Sequence, residues 1–139
     1  MTGDLKRVLI VIPAYNEAAR LPPLLVEVAA YLRSDAPARA RLDAHFLVVD
    51  DGSAMEEFQA VKCAVAQHGL PALDVMRLER NQGKGAAIRA GFERGLDRGD
   101  AYLAFMDADA SVPVREAHRV IVHLADAPPG TLSGVIGSR

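Results

Sequence analysis

The chain has 139 residues, of which 50% are hydrophobic and 24% charged, and its formal net charge is −2. This balance suits one globular domain with a hydrophobic core and excludes a disordered chain. The near-neutral charge argues against a nucleic-acid-binding protein, because no basic surplus is present to meet phosphates. The single cysteine, Cys63, excludes an internal disulfide, and we interpret it as a small buried hydrophobic residue of a helix.

No stretch of the sequence approaches the ~18 apolar residues that a membrane-spanning helix needs. Asp4, Lys6 and Arg7 precede the first apolar run, and no cleavage-like site of small residues follows it, which speaks against a signal peptide. A lone cysteine also suits a reducing compartment. We therefore expect a cytoplasmic location for this chain, and association of a longer protein with a membrane stays open.

Short apolar blocks alternate with amphipathic segments along the chain. The block at 8–12 is typical of a strand buried on both faces, and Pro13 is predicted to end it. Further strands are predicted at 45–49, 73–78, 101–106 and 133–136. Helices are predicted at 21–32, 55–68, 86–96 and 114–125, with a polar link at 35–41.

This alternation predicts an α/β fold, with a parallel sheet and helices on both of its faces. In such sheets, ligands bind where the strands end. Polar side chains gather at these strand ends: Tyr15, Asn16 and Glu17 after the first strand, Asp50 and Asp51 after the second, Asn81, Gln82 and Lys84 after the third, and Asp107 and Asp109 after the fourth.

Asp107 and Asp109 are two carboxylates at the end of a predicted buried strand. Mg2+ and Mn2+ are hard ions that one or two carboxylates hold together with substrate phosphates, and they stabilise a departing diphosphate as Lewis acids. Aspartate is also common in turns and helix caps, so both interpretations stay open. A calcium EF-hand is disfavoured, because Val112 stands where that loop needs glycine and His118 where it needs glutamate.

Asp50 and Asp51 place two more acids after the second strand. One carboxylate could accept hydrogen bonds from a nucleobase or ribose, and the other could support the turn. Ser53 is predicted to cap the helix that follows. Paired acids also occur in phospho-acceptor receiver domains, but there the pair follows the first strand.

The segment 81–85 is a glycine-bearing turn that leads into a helix. Its glycines would let the backbone approach a ligand closely, the helix start favours an anion, and Lys84 could meet a phosphate. A solvated turn is the alternative, since the spacing matches neither a Walker A loop nor a dinucleotide fingerprint. Tyr15 could likewise hold a nucleobase or pack on the end of the sheet.

The ordered set of motifs is more specific than any one motif. The set comprises VIPAYNE at 11–17, VVDDGS at 48–53, NQGKG at 81–85 and DAD at 107–109. In this order and spacing it resembles the family 2 glycosyltransferases over essentially the whole chain. The resemblance implies a GT-A fold, in which a nucleotide-binding α/β half joins an acceptor-binding half and the sheet of the full enzyme is mixed.

The resemblance also implies a nucleotide-sugar site at the strand ends. The residues that it implies for nucleotide binding are Pro13, Ala14, Tyr15, Glu17, Asp50, Asp51, Lys84, Asp107 and Ala108. Asp107 and Asp109 are implied to hold Mg2+ or Mn2+. The family's reaction inverts the anomeric centre by direct displacement, while a general base deprotonates the acceptor.

Within the family, the segments 83–91 and 136–139 are similar to dolichyl-phosphate glucosyltransferases. This likeness implies transfer of a hexose, glucose, from a UDP-sugar to a polyprenyl or dolichyl phosphate. A GDP-mannose-dependent transferase and a catalytically inert nucleotide-binding module stay open as alternatives. A nucleotidyltransferase is disfavoured, because 13–17 lacks the glycine and arginine of that class's phosphate loop.

Family members continue well past a Gly-Ser-Arg motif such as that at 137–139. We therefore expect residues 1–139 to be the nucleotide-sugar-binding part of a GT-A domain, truncated at its C-terminus. No residue of the chain is predicted to be the catalytic base. A sheet cut at this point would expose an edge, so we also expect aggregation or a homo-dimer.

Overall fold

The computed structural model describes residues 4–128 as a parallel α/β structure. Its strands are β1 (Lys6–Ala14), β2 (Leu42–Asp50), β3 (Leu73–Arg77) and β4 (Tyr102–Phe105). Its helices are α1 (Leu21–Arg33), α2 (Ala36–Arg39), α3 (Met55–Ala66), α4 (Lys84–Arg98) and α5 (Val114–Asp126). The strands lie in the order β3-β2-β1-β4, and every neighbouring pair is parallel. The predicted fold class is confirmed, whereas the strand predicted at 133–136 lies outside the described residues.

The two faces of β1 pack into separate cores, as its unbroken apolar run predicts. Successive side chains of a strand point to opposite faces. Val8, Ile10 and Ile12 therefore lie in a core shared with α1, α3 and α5. Leu9 and Val11 lie in the core on the other face, which α4 covers. Helices thus lie on both faces of the sheet.

Small residues allow α4 to lie close to the sheet. Ala87, Gly91 and Gly95 recur at every fourth position and are buried. A Cβ atom on Gly91 would lie 2.6 Å from a methyl carbon of Val11, and one on Gly95 would come closer still to a methyl carbon of Leu103. Both separations are far shorter than van der Waals contact, so the approach of α4 depends on glycine at these positions.

The prediction that Pro13 ends the first strand is wrong. Pro13 lies inside β1 and pairs in register with Val49. The backbone N–H and C=O groups of the odd-numbered residues of β1 point toward β4. The carbonyls of Arg7 and Val11, for example, accept hydrogen bonds from that side. Pairing with β4 ends at Val11. The N–H that proline lacks would therefore have had no partner in the sheet, and the strand continues without penalty.

Three smaller predictions also need correction. Within the predicted link, residues 36–39 form the short helix α2. Ser53 does not cap α3, because the cap position falls on Ala54 and the Ser53 hydroxyl instead accepts a hydrogen bond from the backbone N–H of Asn16. Cys63 is exposed rather than buried, because the buried side of α3 is the one that carries Val61 and Val65.

Two strands form the edges of the sheet within residues 4–128. On β3, the outward N–H of Val75 is taken by the side chain of Asp74, at 2.7 Å, which protects that edge against pairing. On β4, the Phe105 side chain is half-exposed. The homo-dimer stays a prediction. In the same part of the chain, no helix is long and apolar enough to cross a bilayer.

A hydrogen bond between Tyr31 and His118 joins α1 to α5. The Tyr31 oxygen lies 2.6 Å from Nδ1 of His118. Burial raises the pKa of Tyr31 to about 12, so its hydroxyl keeps its proton and donates to the imidazole. Burial also lowers the pKa of His118 from its ordinary value of 6.5. The folded chain therefore favours neutral His118, in which Nδ1 can accept.

A pH dependence of stability follows from this lowered pKa. At pH values between the folded and the unfolded pKa of His118, the unfolded chain binds more protons than the folded chain. The contribution of neutral His118 to the free energy of unfolding is therefore complete above about pH 6.5 and declines as the pH falls below that value. We expect His118→Gln to lose less stability than the unmodified chain between about pH 7 and about pH 5. Urea unfolding at both pH values measures this. His123→Gln is the control, because His123 is exposed on the same helix, and identical pH dependence in all three chains would contradict the assignment.

Candidate functional site

One cavity collects most of the predicted site residues where β1 and β4 end. Its volume is about 320 Å³, and it is lined by Pro13, Ala14, Tyr15, Glu17, Arg20, Lys84, Asp107, Ala108 and Asp109. The sequence predicts each of these residues as a site residue except Arg20. Asp50 and Asp51, which the sequence also predicts, do not line the cavity.

The turn after β1 supplies one wall of the cavity. Pro13 and Ala14 are buried at the end of the strand. Asn16 then adopts a positive φ of 54°, a conformation that asparagine tolerates better than most residues. Its N–H donates to the Ser53 hydroxyl at 2.9 Å, which fixes the turn against the end of β2. Tyr15 is 46% exposed, so its ring is accessible on the cavity rather than packed away on the sheet.

Glu17 lines this cavity and has one carboxylate oxygen without a hydrogen-bond partner among the described residues. Its Oε1 accepts a hydrogen bond from Arg20 at 2.7 Å. Its Oε2 is buried and has no partner among residues 4–128. Buried polar atoms are nearly always satisfied, by protein, water or ligand. The Glu17 carboxylate therefore retains acceptor capacity that Arg20 does not use.

Lys84 and Asp107 form an ion pair in the lining of the cavity. The Lys84 Nζ lies 2.5 Å from Oδ1 of Asp107, and their side chains are 57% and 38% exposed. An ion pair this exposed contributes only about 0–1 kcal/mol to stability. Rearranging it around a ligand therefore costs little. Lys84 is also the first residue of α4, so the positive end of that helix points in the same direction.

Asp109 completes the carboxylate wall. The N–H of Ser111 donates to its Oδ1 at 3.0 Å. Hydrogen bonds from Ser111 lower the pKa of Asp109, and the positive charge of Arg20 acts in the same direction. Asp109 is consequently ionised at neutral pH. The next residue, Ala110, has a positive φ of 59°, and the Glu27 carboxylate holds the start of α5 through the Val114 N–H at 3.2 Å.

Asp107 and Asp109 meet the chemical requirement of Mg2+ or Mn2+. These ions prefer oxygen ligands and are usually held by one or two carboxylates, with substrate phosphates and water filling the other positions. In the described part of the chain, no three His, Cys, Asp or Glu side chains form a complete cage. The donor set therefore fits an ion that arrives together with a phosphate ligand.

Asp51 lies behind the cavity and organises the loop that leads to Lys84. Its two carboxylate oxygens accept hydrogen bonds from the N–H groups of Gln82 and Gly83, each at 2.8 Å. The side-chain amide of Asn81 donates to Oδ2 at 3.1 Å. Asp51 is only 3% exposed. Its predicted contact with a nucleoside stays a prediction, and its evident role in this structure is to shape the loop.

Asp50 has a similar supporting place beneath the strand ends. Its Oδ2 accepts from the N–H of Ser53 at 2.9 Å, and its Oδ1 is buried without a partner among the described residues. Gly52, with a φ of 71°, brings this turn against the loop from β3, where a Cβ atom would overlap the backbone of Arg80. Nucleotide binding by Asp50 likewise stays a prediction.

Sequence reasoning missed Arg20. It stands three residues after Glu17, at the N-cap position of α1. A cation is electrostatically disfavoured at a helix start. The positive charge at this helix start was therefore the sequence signal that Arg20 has a role other than stabilising α1.

The family follows from comparison with known proteins. The model of the family described as "Glycosyl transferase family 2" matches residues 9–139. The chain belongs to this family. This confirms the resemblance that the ordered motifs carry, from the first strand onward.

Individual relatives extend the comparison. A dolichyl-phosphate beta-glucosyltransferase of Drosophila melanogaster is 33% identical over 94% of this chain and 40% of its own length. An undecaprenyl-phosphate 4-deoxy-4-formamido-L-arabinose transferase of Aeromonas hydrophila is 37% identical over 85% of the chain and 33% of its own length. The chain thus spans about a third to two fifths of the relatives that it matches.

A solved structure supports the fold assignment. A mannosyltransferase from Pyrobaculum calidifontis, in complex with GDP-Man and Mn2+, matches 88% of this chain and 33% of its own chain. The TM-score is 0.66 and the sequence identity is 25%. The parallel sheet and its helices are therefore those of a GT-A glycosyltransferase.

Proposed function

We propose that residues 1–139 are the nucleotide-sugar-binding part of a metal-dependent, inverting glycosyltransferase. The observation that carries the proposal is the single cavity that brings together an accessible Tyr15, the unused Glu17 oxygen, Lys84 and the carboxylates of Asp107 and Asp109. An aromatic ring and a hydrogen-bond acceptor suit a nucleoside. A lysine and two carboxylates that could hold a metal ion suit a diphosphate.

Each residue has a distinct role in this proposal. Tyr15 offers its ring to the base, and Glu17 accepts a hydrogen bond from the nucleoside. Asp107 and Asp109 would hold Mg2+ or Mn2+, which supplies Lewis-acid stabilisation of the leaving diphosphate when bound. Lys84, at the positive end of α4, places a further charge beside the phosphates. The group that deprotonates the acceptor is not assigned to any residue of this chain.

The donor and acceptor follow from the relatives. Dolichyl phosphate and undecaprenyl phosphate stand in the names of the two curated relatives, so we propose a polyprenyl phosphate as acceptor. The glucosyltransferase relative supports glucose as the transferred hexose, and we propose a UDP-sugar as the donor. The structural neighbour supports GDP-mannose as the alternative donor. A lipid acceptor would also bring the full-length protein to a membrane surface.

Competition between nucleotides separates these two donors. We expect UDP to bind this chain more tightly than GDP when both are titrated calorimetrically in the presence of Mn2+. Tighter binding of GDP would replace the glucosyl proposal by mannosyl transfer. Replacing Tyr15 by alanine should weaken both nucleotides, because base stacking is sequence-tolerant and contributes about 1–3 kcal/mol.

Transfer itself is a second measurement. The chain is incubated with Mn2+, the preferred labelled nucleotide-sugar and a polyprenyl phosphate, and label is then measured in the lipid extract. Label in the lipid supports the transferase. Tight donor binding without labelled lipid would favour the catalytically inert nucleotide-binding module.

A further inference from the structure

Arg20 lines the cavity, and the Glu17 carboxylate holds its guanidinium there. One terminal nitrogen of Arg20 donates to Oε1 of Glu17 at 2.7 Å, and 64% of the side-chain surface remains exposed. A guanidinium carries several N–H donors in a planar fork. With one of them engaged, the others are available to a molecule in the cavity.

The stability of α1 does not account for an arginine at this position. Arg20 occupies the N-cap position and makes no side-chain capping hydrogen bond. Its positive charge lies at the positive end of the helix, where an acid would be favoured, and the first turn contains no acid. Residues that oppose a local preference are often those that serve a site.

The charges of the cavity give Arg20 a specific consequence. Two cations, Lys84 and Arg20, and three carboxylates, Glu17, Asp107 and Asp109, line it, so its formal net charge is −1. A divalent cation on the two aspartates would reverse the sign of this charge and make the cavity attractive to a diphosphate. Without Arg20, the same metal-loaded cavity would be neutral. Arg20 therefore contributes as much as Lys84 to the attraction of the loaded site for an anion.

Arg20 and Lys84 reach the cavity from different parts of the chain. Arg20 stands at the start of α1 and is held by Glu17. Lys84 is the first residue of α4 and pairs with Asp107. A diphosphate bound to a metal on Asp107 and Asp109 would lie in the cavity that both cations line.

We propose that Arg20 is a phosphate-binding residue, which contacts the diphosphate of the nucleotide together with Lys84. Glu17 positions the guanidinium and keeps its fork directed into the cavity. This inference rests on the proposed function, because it assumes that the cavity takes a nucleoside diphosphate. It adds a further residue to the site and gives that residue a specific role, since Arg20 would discriminate a diphosphate from a nucleoside.

The test compares ligands that differ only in their phosphates. UDP, GDP, uridine and guanosine are each titrated with Mn2+ into the unmodified chain and into Arg20→Met, which keeps the apolar stem and removes the charge. We expect Arg20→Met to bind the preferred diphosphate about 10- to 100-fold more weakly, since a charge-assisted hydrogen bond is lost. Affinity for the corresponding nucleoside should not change. Arg20→Lys should recover part of the loss, because it restores charge without the fork.

The matched control is Arg39→Met. Arg39 is also an exposed arginine in a helical ion pair, with Asp35 at 3.7 Å, and it does not line the cavity. This variant should bind every ligand as the unmodified chain does. Thermal unfolding of each variant should be nearly unchanged, because exposed ion pairs contribute little to stability.

Three other results would overturn the inference. Equal weakening of diphosphate and nucleoside would mean that Arg20 acts only by supporting Glu17. Unchanged diphosphate binding by Arg20→Met would leave it an ordinary surface ion pair. These first two results would leave the proposed function intact. Failure of the unmodified chain to bind either diphosphate would overturn the proposed function and this inference together.

Discussion

Replacing Asp51 by alanine is expected to lower the free energy of unfolding by about 2–4 kcal/mol in the absence of any nucleotide. The carboxylate is almost fully buried and accepts hydrogen bonds from two backbone N–H groups and one side-chain amide of the loop that precedes α4. Removing it leaves these donors with no partner or with poorly ordered water. Urea unfolding of the nucleotide-free chain measures the effect.

Asp51→Asn sharpens this prediction, because it keeps the shape of the side chain. One of its two terminal atoms becomes a donor and meets the N–H of Gln82 or Gly83, so it should also destabilise, though less than alanine does. Asp43→Asn is the control, since the half-exposed Asp43 carboxylate contacts the His45 ring and is not part of this loop. If Asp51→Ala unfolds like the unmodified chain, the loop does not depend on this carboxylate.

The second large effect is expected from Asp109→Asn, which should weaken Mn2+-dependent nucleotide binding at least about 100-fold, since even residues that only support metal ligands are worth about 10–100-fold. The substitution removes the charge of a carboxylate that its neighbours keep ionised. It leaves the Lys84–Asp107 ion pair in place. Nucleotide titrations with Mn2+ and with chelator measure the loss.

A stability measurement separates this effect from misfolding. Asp109 is exposed, so Asp109→Asn should unfold at nearly the temperature of the unmodified chain. Asp35→Asn removes a similarly exposed carboxylate at a distance from the cavity and should retain full nucleotide affinity. Metal-dependent binding that survives in Asp109→Asn would show that this aspartate is not a metal ligand.

The strands were predictable because their sequence signals are local. The apolar block at 8–12 can be buried on both faces only in the interior of a sheet, and β1 lies there between β2 and β4. The first polar residues after each block lie close to the end of the strand. A parallel sheet then brings Tyr15, Lys84 and Asp107 to one edge, whatever the details of the loops.

The details that escaped prediction depend on distant parts of the chain. The buried role of Asp51 requires the loop at 81–83, some thirty residues later, to fold back over β2. Pro13 remains in β1 only because the pairing with β4 ends at Val11. Neither fact has a local signature. The place of Arg20 likewise depends on how α1 enters the structure above the cavity.

The position of Cys63 is a different case, because the sequence contained the necessary signal. Val61 and Val65 are one helical turn apart and lie on the buried side of α3. A residue midway between them points away from that side. Helical periodicity therefore predicts an exposed cysteine, and the tendency of cysteine to be buried was the weaker guide.

The most direct test of the central claim is the position of Mn2+ in crystals of this chain grown with Mn2+ and the preferred nucleoside diphosphate. We expect an anomalous difference peak at coordination distance from the carboxylates of Asp107 and Asp109, with the diphosphate on the ion and the base beside Tyr15. A peak at other residues, or a nucleotide bound outside this cavity, would contradict the proposed donor site.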